Sequence, residues 1–282
     1  FLTTLVIARV LGAEVLGIYA LVQSIIVFST VPSLGIFKAS TKYISEGRNP
    51  GAYVTVTLAA SGVSVAILAI ALLAANQFVV NYVGSNVTVL TILLIASMIA
   101  YETTGAIMKG QKLVASFGWL TTGEKVLRAI LQISFIVVGY QLSGLLVGHA
   151  FSLLVATGIA LYVLNIPVSV PTMKEVRRFL NFSQYSWIGG LKTRTFSWMD
   201  TLVLGFFASS SLIGVYEVAW TLSSFLVLAS KSIRNVVFPE LSDLSGQQQD
   251  SEIINILSES IQYTGLIIIP GFFGALVLGP RV

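Results

Sequence analysis

The sequence contains no cysteine and a single histidine, His149. Without cysteine there is no disulfide framework, no thiolate metal site and no thiol nucleophile. One histidine removes the common zinc and Ser-His-Asp arrangements, and no metal site, cofactor or catalytic residue is assigned. Charge is scarce as well. Only 10% of the 282 residues are charged, against roughly 25% in soluble domains, while 55% are hydrophobic. A soluble protein of this composition would expose far too much apolar surface to stay in solution. The basic surplus is small, with a net charge of +4. It is not clustered on an accessible domain, so nucleic acid is not an expected partner.

What the chain has instead is a series of apolar runs. They cover Phe1–Val10, Leu16–Phe37, Ala52–Ala75, Val87–Met108, Leu120–Tyr140, Leu142–Leu164, Phe182–Phe207, Leu212–Val237 and Ile261–Leu278. A bilayer core takes about 20 helical residues to cross, and the short alternating segments of a barrel do not appear. The expected fold is therefore all-α, a polytopic membrane helix bundle with about nine spans. The first run is too short to span, the chain begins at Phe1, and it ends directly after an apolar stretch. A piece of a longer protein is expected.

The links between runs sort by charge. Twelve of the 16 Lys and Arg fall on one side. They are Lys38, Lys42 and Arg48, then Lys109, Lys112, Lys125 and Arg128, then Lys174, Arg177 and Arg178, then Lys231 and Arg234. The alternate links, Asn76–Asn86, Gln141 and Ala208–Ser211, carry no charge. Positive residues collect in cytoplasmic loops, so the even-to-odd links are expected inside and the protein in the cell membrane.

Shifting the chain by 197 positions matches it to itself in part. Thr4-Leu5-Val6 falls on Thr201-Leu202-Val203, and Gly17-Ile18-Tyr19 on Gly214-Val215-Tyr216. Six intervening crossings preserve orientation, so the repeat is a parallel one. The expected organisation is an N-terminal bundle over 1–165, a link over 166–181, and three helices of a second bundle over 182–282. By symmetry the whole protein would have twelve or more helices.

Three segments resemble a known family. Arg9-Val10-Leu11-Gly12, continuing through Gly17-Ile18-Tyr19, resembles the R-x-L-G-x-x-x-x-G-x-Y opening of Wzx-type polysaccharide flippases. These belong to the multidrug, oligosaccharidyl-lipid and polysaccharide exporter superfamily. Gly105-Ala106-Ile107-Met108-Lys109-Gly110-Gln111-Lys112 resembles the Gly-rich basic end of that family's fourth helix. Gly214-Val215-Tyr216 with Phe238-Pro239-Glu240-Leu241-Ser242 resembles its eighth helix and the P-x-L-S that follows. The resemblance implies about fourteen helices in two bundles. It also implies outward flipping of lipid-linked oligosaccharides, with membrane lipids and a coupling cation or proton as further partners, and no enzymatic activity. A multidrug or small-solute exporter of the same superfamily is the near alternative. A membrane-embedded glycan polymerase or ligase is the distant one, because such enzymes carry a large outer loop with catalytic Arg, His or carboxylates, and the links Asn76–Asn86, Gln141 and Ala208–Ser211 carry no charge.

Ionisable groups within the spans are costly and mark functional positions by default. The seventh run holds Lys192, Arg194 and Asp200. About 1.5 Å of rise per residue puts Lys192 and Arg194 near mid-depth, where a cationic pair suits a phosphate or pyrophosphate headgroup. Lys192, Arg194, Asp200 and the motif residue Arg9 are thus the headgroup candidates, with snorkelling or ion pairing as the plainer roles. Glu102, Glu217 and Arg128 are candidates for ion coupling or ion pairing. Glu102 is in reach of Lys109, Glu217 of Arg9, and Arg128 of Glu124 at an i,i+4 spacing worth a few tenths of a kcal/mol. His149, beside Gly148, reads as a hydrogen-bonded packing residue rather than a proton relay.

Overall fold

The computed structural model describes residues 2–164, 168–246 and 250–278. Every regular element among them is helical: α1 (Leu2–Ser29), α2 (Ser33–Ser45), α3 (Pro50–Ala74), α4 (Asn76–Val83), α5 (Thr88–Gly110), α6 (Val114–Val137), α7 (Leu142–Val163), α8 (Met173–Ser186), α9 (Ile188–Leu204), α10 (Ser210–Gly246) and α11 (Asp250–Leu278). Asn165 and Pro167 of the expected link, and Arg281, lie outside the described residues, as do the side chains of Lys231 and Arg234. Among the described residues, five helical segments are long and apolar enough to cross a membrane: Thr3–Ser29, Pro50–Ala74, Thr88–Gly110, Leu142–Val163 and Ser251–Gly274. The chain is a multi-pass membrane protein. α6 matches these in length but carries Glu124, Lys125 and Arg128.

The apolar runs and the helices differ at two places. The run Leu16–Phe37 is split, because α1 stops at Ser29 and Pro32, which has no N–H to donate, lies in the turn before α2. The run Phe182–Phe207 is split at Trp187, between α8 and α9. α1 is itself two helical pieces that meet, in the expected gap between the first two runs, at a kink at Gly12. That residue has φ 86 and ψ 166, a backbone region open essentially to glycine alone. A side chain there would meet nothing within 4 Å, so it is the backbone that requires glycine.

The chain forms two compact units, one running from Val6 to Gly214, the other from the few residues before Val6 and those after Gly214. In the larger unit one core is built by α1, α5 and α7 through Leu21, Ile26, Leu94, Ile95, Ile99, Leu146 and Leu153, all nearly or fully buried. A second core lies at the basic end, where Tyr43, Ile44, Tyr53, Ile107, Met108 and Phe179 meet. The outward faces stay apolar: on α3, Val63, Ile67 and Ile70 are 58%, 61% and 68% exposed. Apolar residues on both faces of a helix are what a lipid-facing span requires. In the other unit, α10 and α11 enclose an apolar groove of about 450 Å³ lined by Val237, Leu241, Ile261 and Ile268.

α8 explains how the basic end is held. A capping box starts it: the Glu175 carboxylate accepts from the Thr172 N–H at 2.7 Å, and Thr172 Oγ1 accepts from the Glu175 N–H at 3.4 Å. Its buried face presents Phe179 and Ser183 to α2. Asn49 ties it to the start of α3, donating to Glu175 at 2.9 Å and capping α3 through Ala52. Arg178 pairs with Glu46 at 3.2 Å, and the Lys42 ammonium stands 4.2 Å from the centre of the Phe182 ring.

One crossing carries the sequence repeat into three dimensions. Gly17 of α1 faces the first turn of α10, and a Cβ on it would lie 2.9 Å from Gly214 N and 2.7 Å from the Ser210 carbonyl carbon. A Cβ on Gly214 would lie 2.6 Å from the carbonyl carbon of Ala13. Ala13 and Ser210 are themselves related by the 197-residue offset, as are Gly17 and Gly214. Gly17 therefore touches Ser210 as Gly214 touches Ala13, the self-complementary pattern of a two-fold contact.

Candidate functional site

The main polar feature of the larger unit is a buried seam where α1, α6 and α7 meet. α6 contributes Glu124, Arg128 and Gln132, spaced i, i+4 and i+8 along one stripe. α1 contributes Tyr19 and Gln23, one turn apart, and α7 contributes His149 and Ser152. α7 comes close to α6 because it is glycine there: a Cβ at Gly144 would press Phe135 at 2.7 Å, and one at Gly148 would stand 3.3 Å from Gln132 N.

The hydrogen bonds run in sequence across the three helices. Ser152 Oγ donates to Glu124 Oε1 at 3.0 Å, and Arg128 Nε lies 3.6 Å from the same oxygen. Arg128 Nη1 is 2.8 Å from His149 Nε2. His149 Nδ1 is 3.2 Å from both the Tyr19 hydroxyl and the Gln23 amide. Gln132 Nε2 donates to Tyr19 Oη and to the Leu145 carbonyl, each at 3.1 Å.

Chemistry assigns the protons in this chain. A guanidinium has only donors, so His149 Nε2 accepts and the ring is neutral. Its one proton is then on Nδ1, donated towards Tyr19 Oη and Gln23, and an Nδ1–H there calls for the oxygen end of the Gln23 amide. Tyr19 and Gln23 are held to α7 by a single imidazole. Glu124, only 5% exposed, is not the surface pair that its spacing to Arg128 suggests. The Arg128 side chain is 29% exposed, so the desolvation cost falls on Glu124, and losing Arg128 would leave that buried carboxylate stranded.

A second arrangement forms where the turn after α1, α2, α5 and α9 meet. Glu102 and Arg194 line one narrow crevice with Thr30, Leu34, Phe37, Met98 and Ile99. Lys192 is exposed; two residues before Arg194, it stands about 160° away around α9. The carboxylate of Asp200 accepts from the Thr201 N–H at 2.9 Å. Arg9 is exposed, and Glu217, in the other unit, is half-buried. The larger unit thus brings together Glu102 with Arg194 and Arg128 with His149.

Tyr19, Gln23 and Gln132 were not among the candidate residues. Gln132 was open to detection, because Glu124, Arg128 and Gln132 form a polar stripe on an otherwise apolar helix. Tyr19 and Gln23 were not, since their partner is 130 and 126 residues away in the chain, respectively.

Three comparisons bear on this architecture. A family model described as "Polysaccharide biosynthesis protein" matches residues 1–245. Two relatives come from Haloferax volcanii. One, named a probable flippase AglR, is 27% identical over 278 residues, covering 98% of this chain and 58% of the relative. The other, named a probable low-salt glycan biosynthesis flippase Agl15, is 26% identical over 287 residues, covering 100% of this chain and 60% of the relative. The chain thus spans somewhat over half the length of these relatives. Among solved structures, a multidrug resistance MATE family transporter of the MOP superfamily, in an inward-facing conformation, shares the fold. Its TM-score is 0.72 at 14% identity, over 99% of this chain and 70% of that one.

Proposed function

Because the chain belongs to the polysaccharide biosynthesis protein family, we propose that the whole protein flips lipid-linked oligosaccharide or polysaccharide precursors across the cell membrane by alternating access. It works as a transporter and not as an enzyme. The relatives named as flippases support this reading. Within the chain, the observation that carries it is the placement of charge. Glu102 and Arg194 line one crevice among helices whose outer faces are apolar. Ionisable groups so placed mark a functional position by default; the crevice itself encloses no space for a water molecule.

In this reading the basic links are cytoplasmic and the nine runs are spans. Residues 1–165 form the first bundle, 166–181 the link and 182–282 the start of the second. Arg194 engages a phosphate of the carrier lipid through paired hydrogen bonds, and Lys192, on the opposite side of α9, is a separate headgroup candidate. Arg9 and Asp200 complete the headgroup candidates, while Glu102, Glu217 and Arg128 serve ion coupling or ion pairing. The cationic pair favours an anionic headgroup over the cargo of a multidrug exporter.

The test uses the full-length protein in liposomes with a labelled lipid-linked oligosaccharide. The label should become accessible from the opposite leaflet, and Lys192→Gln with Arg194→Gln should abolish this while leaving membrane insertion intact. Glycan elongation in place of flipping would overturn the transporter reading. Unchanged flipping in the double variant would remove Lys192 and Arg194 from the substrate path.

A further inference from the structure

We propose that the groove between α2, α3 and α8 binds an acidic lipid of the leaflet on the basic side, with one hydrocarbon chain in the groove and Arg177 at the headgroup. The site depends on the chain being a membrane protein and not on the transporter reading. The groove measures about 770 Å³. α3 forms one wall through Thr55, Ala59, Val63 and Ile67, a ridge of residues four apart, and α8 forms the other through Val176, Leu180 and Trp187. Its deep end is the break between α1 and α2, at Ser29 and Pro32.

Its length and chemistry suit hydrocarbon. From Thr55 to Leu68, both in the lining, α3 rises about 20 Å. One leaflet contributes about 15 Å, half of a core about 30 Å thick, so a chain entering at the headgroup level runs to the midplane inside the groove. Ala59 and Ala60 leave room along the α3 wall. The hydroxyls of that wall are taken up within the protein. Thr55 Oγ1 donates to the Ser169 carbonyl at 2.8 Å, and the Ser33 and Ser64 hydroxyls bond each other at 2.7 Å. α3 therefore meets a ligand mainly with carbon, which favours a lipid chain over a polar solute.

Charge gathers at the shallow end. Val170 and Met173 flank Pro171 there and are 91% and 80% exposed, beside the exposed cations Lys174 and Arg177. Exposed apolar side chains next to cations on an amphipathic helix belong in the headgroup layer of an anionic surface. The cations of α8 are not equivalent. Arg178 is paired with Glu46, and Lys174 stands about 160° around the helix from Val176. Arg177 forms no ion pair among the described residues. It lies about 20° around α8 from Gln184, which lines the groove, so its guanidinium is placed to grip a phosphate above the chain through paired hydrogen bonds. A lipid seated this way touches α3 and α8 together and adds to the Asn49–Glu175 and Arg178–Glu46 contacts that hold α8.

The test places the full-length protein in phosphatidylcholine vesicles doped with phosphatidylglycerol that carries a photoreactive diazirine in its chain. Peptide mass spectrometry after illumination should find the label on residues 55–68 of α3 and 176–187 of α8. Ile70 and Leu73, exposed on α3 beyond the groove, should take up much less. Unlabelled phosphatidylglycerol should compete roughly fivefold better than phosphatidylcholine. Arg177→Gln should remove that preference while the chain still labels the groove. Ala59 is exposed, so Ala59→Trp fills the groove without entering the core and should abolish labelling there. Label spread evenly along the exposed face of α3, or equal competition by the two phospholipids in the parent protein, would overturn the proposal. Displacement of the label by a lipid-linked oligosaccharide at lower concentration than phosphatidylglycerol would overturn it too, and would make the groove a seat for the carrier lipid. The competition in the parent decides the matter even if Ala59→Trp does not fold. A protein that labels as expected and does not flip keeps the lipid site and loses only the transporter reading.

Discussion

Replacing Gly17 by alanine adds one methyl group where α1 crosses the first turn of α10. A Cβ there lies 2.7 Å from the Ser210 carbonyl carbon and 2.9 Å from Gly214 N, where carbon contacts normally settle near about 3.5–4.0 Å. The obstructing atoms are backbone, so no side chain can rotate away and one helix has to retreat by about 1 Å. Overpacking of this size costs about 1–3 kcal/mol. The higher helix propensity of alanine returns at most about 1 kcal/mol. Gly214→Ala meets Ala13 in the same way. Each single variant should therefore melt several degrees lower than the parent in detergent, followed by size-exclusion retention after heating. The double variant carries the sharper expectation. Once one methyl has parted the helices the second finds room, so the double loss should be clearly smaller than the sum of the single losses. A Gly17→Ala protein as stable as the parent, or losses that simply add, would refute the reciprocal crossing.

Two further expectations concern α8. Phe179 is fully buried against α2, so Phe179→Ala should cost about 3–5 kcal/mol; a melting temperature equal to that of the parent would show that α8 is not docked there. The second concerns pH. Hydrogen bonds from the Thr172 backbone, then from its hydroxyl and from Asn49, hold the Glu175 carboxyl below its ordinary value of 4.5. A carboxylate with a depressed pKa contributes stability that is complete above the unfolded value and is lost as pH falls through the folded one. The first turn of α8 should keep its amide protection down to about pH 4.5 and lose it only in stronger acid. Glu175→Gln should show weaker protection at neutral pH and little further change on acidification, measured by hydrogen exchange.

The apolar runs at Ala52–Ala75, Val87–Met108 and Leu142–Leu164 could be read as helices because a bilayer demands length and apolarity together. They match α3, α5 and α7 to within a few residues. The breaks at Pro32 and Trp187 were masked by that same apolarity: a run of hydrophobic residues looks continuous whether or not the helix turns within it. Glu124 and Arg128 were recognisable as neighbours one turn apart. Their burial was not, because it depends on Ser152 and His149 from another helix.

The chain alone determined the solvent, the helical class and the equal spacing of the two Gly-x-Tyr segments, since each is a local or compositional property. Tertiary structure alone decided that Gly17 and Gly214 meet, that His149 links α7 to Tyr19 and Gln23, and that Glu102 shares a crevice with Arg194. The physical reason is distance along the chain. Helical periodicity determines which face a residue occupies, whereas close backbone approach and side-chain packing decide which two faces come together.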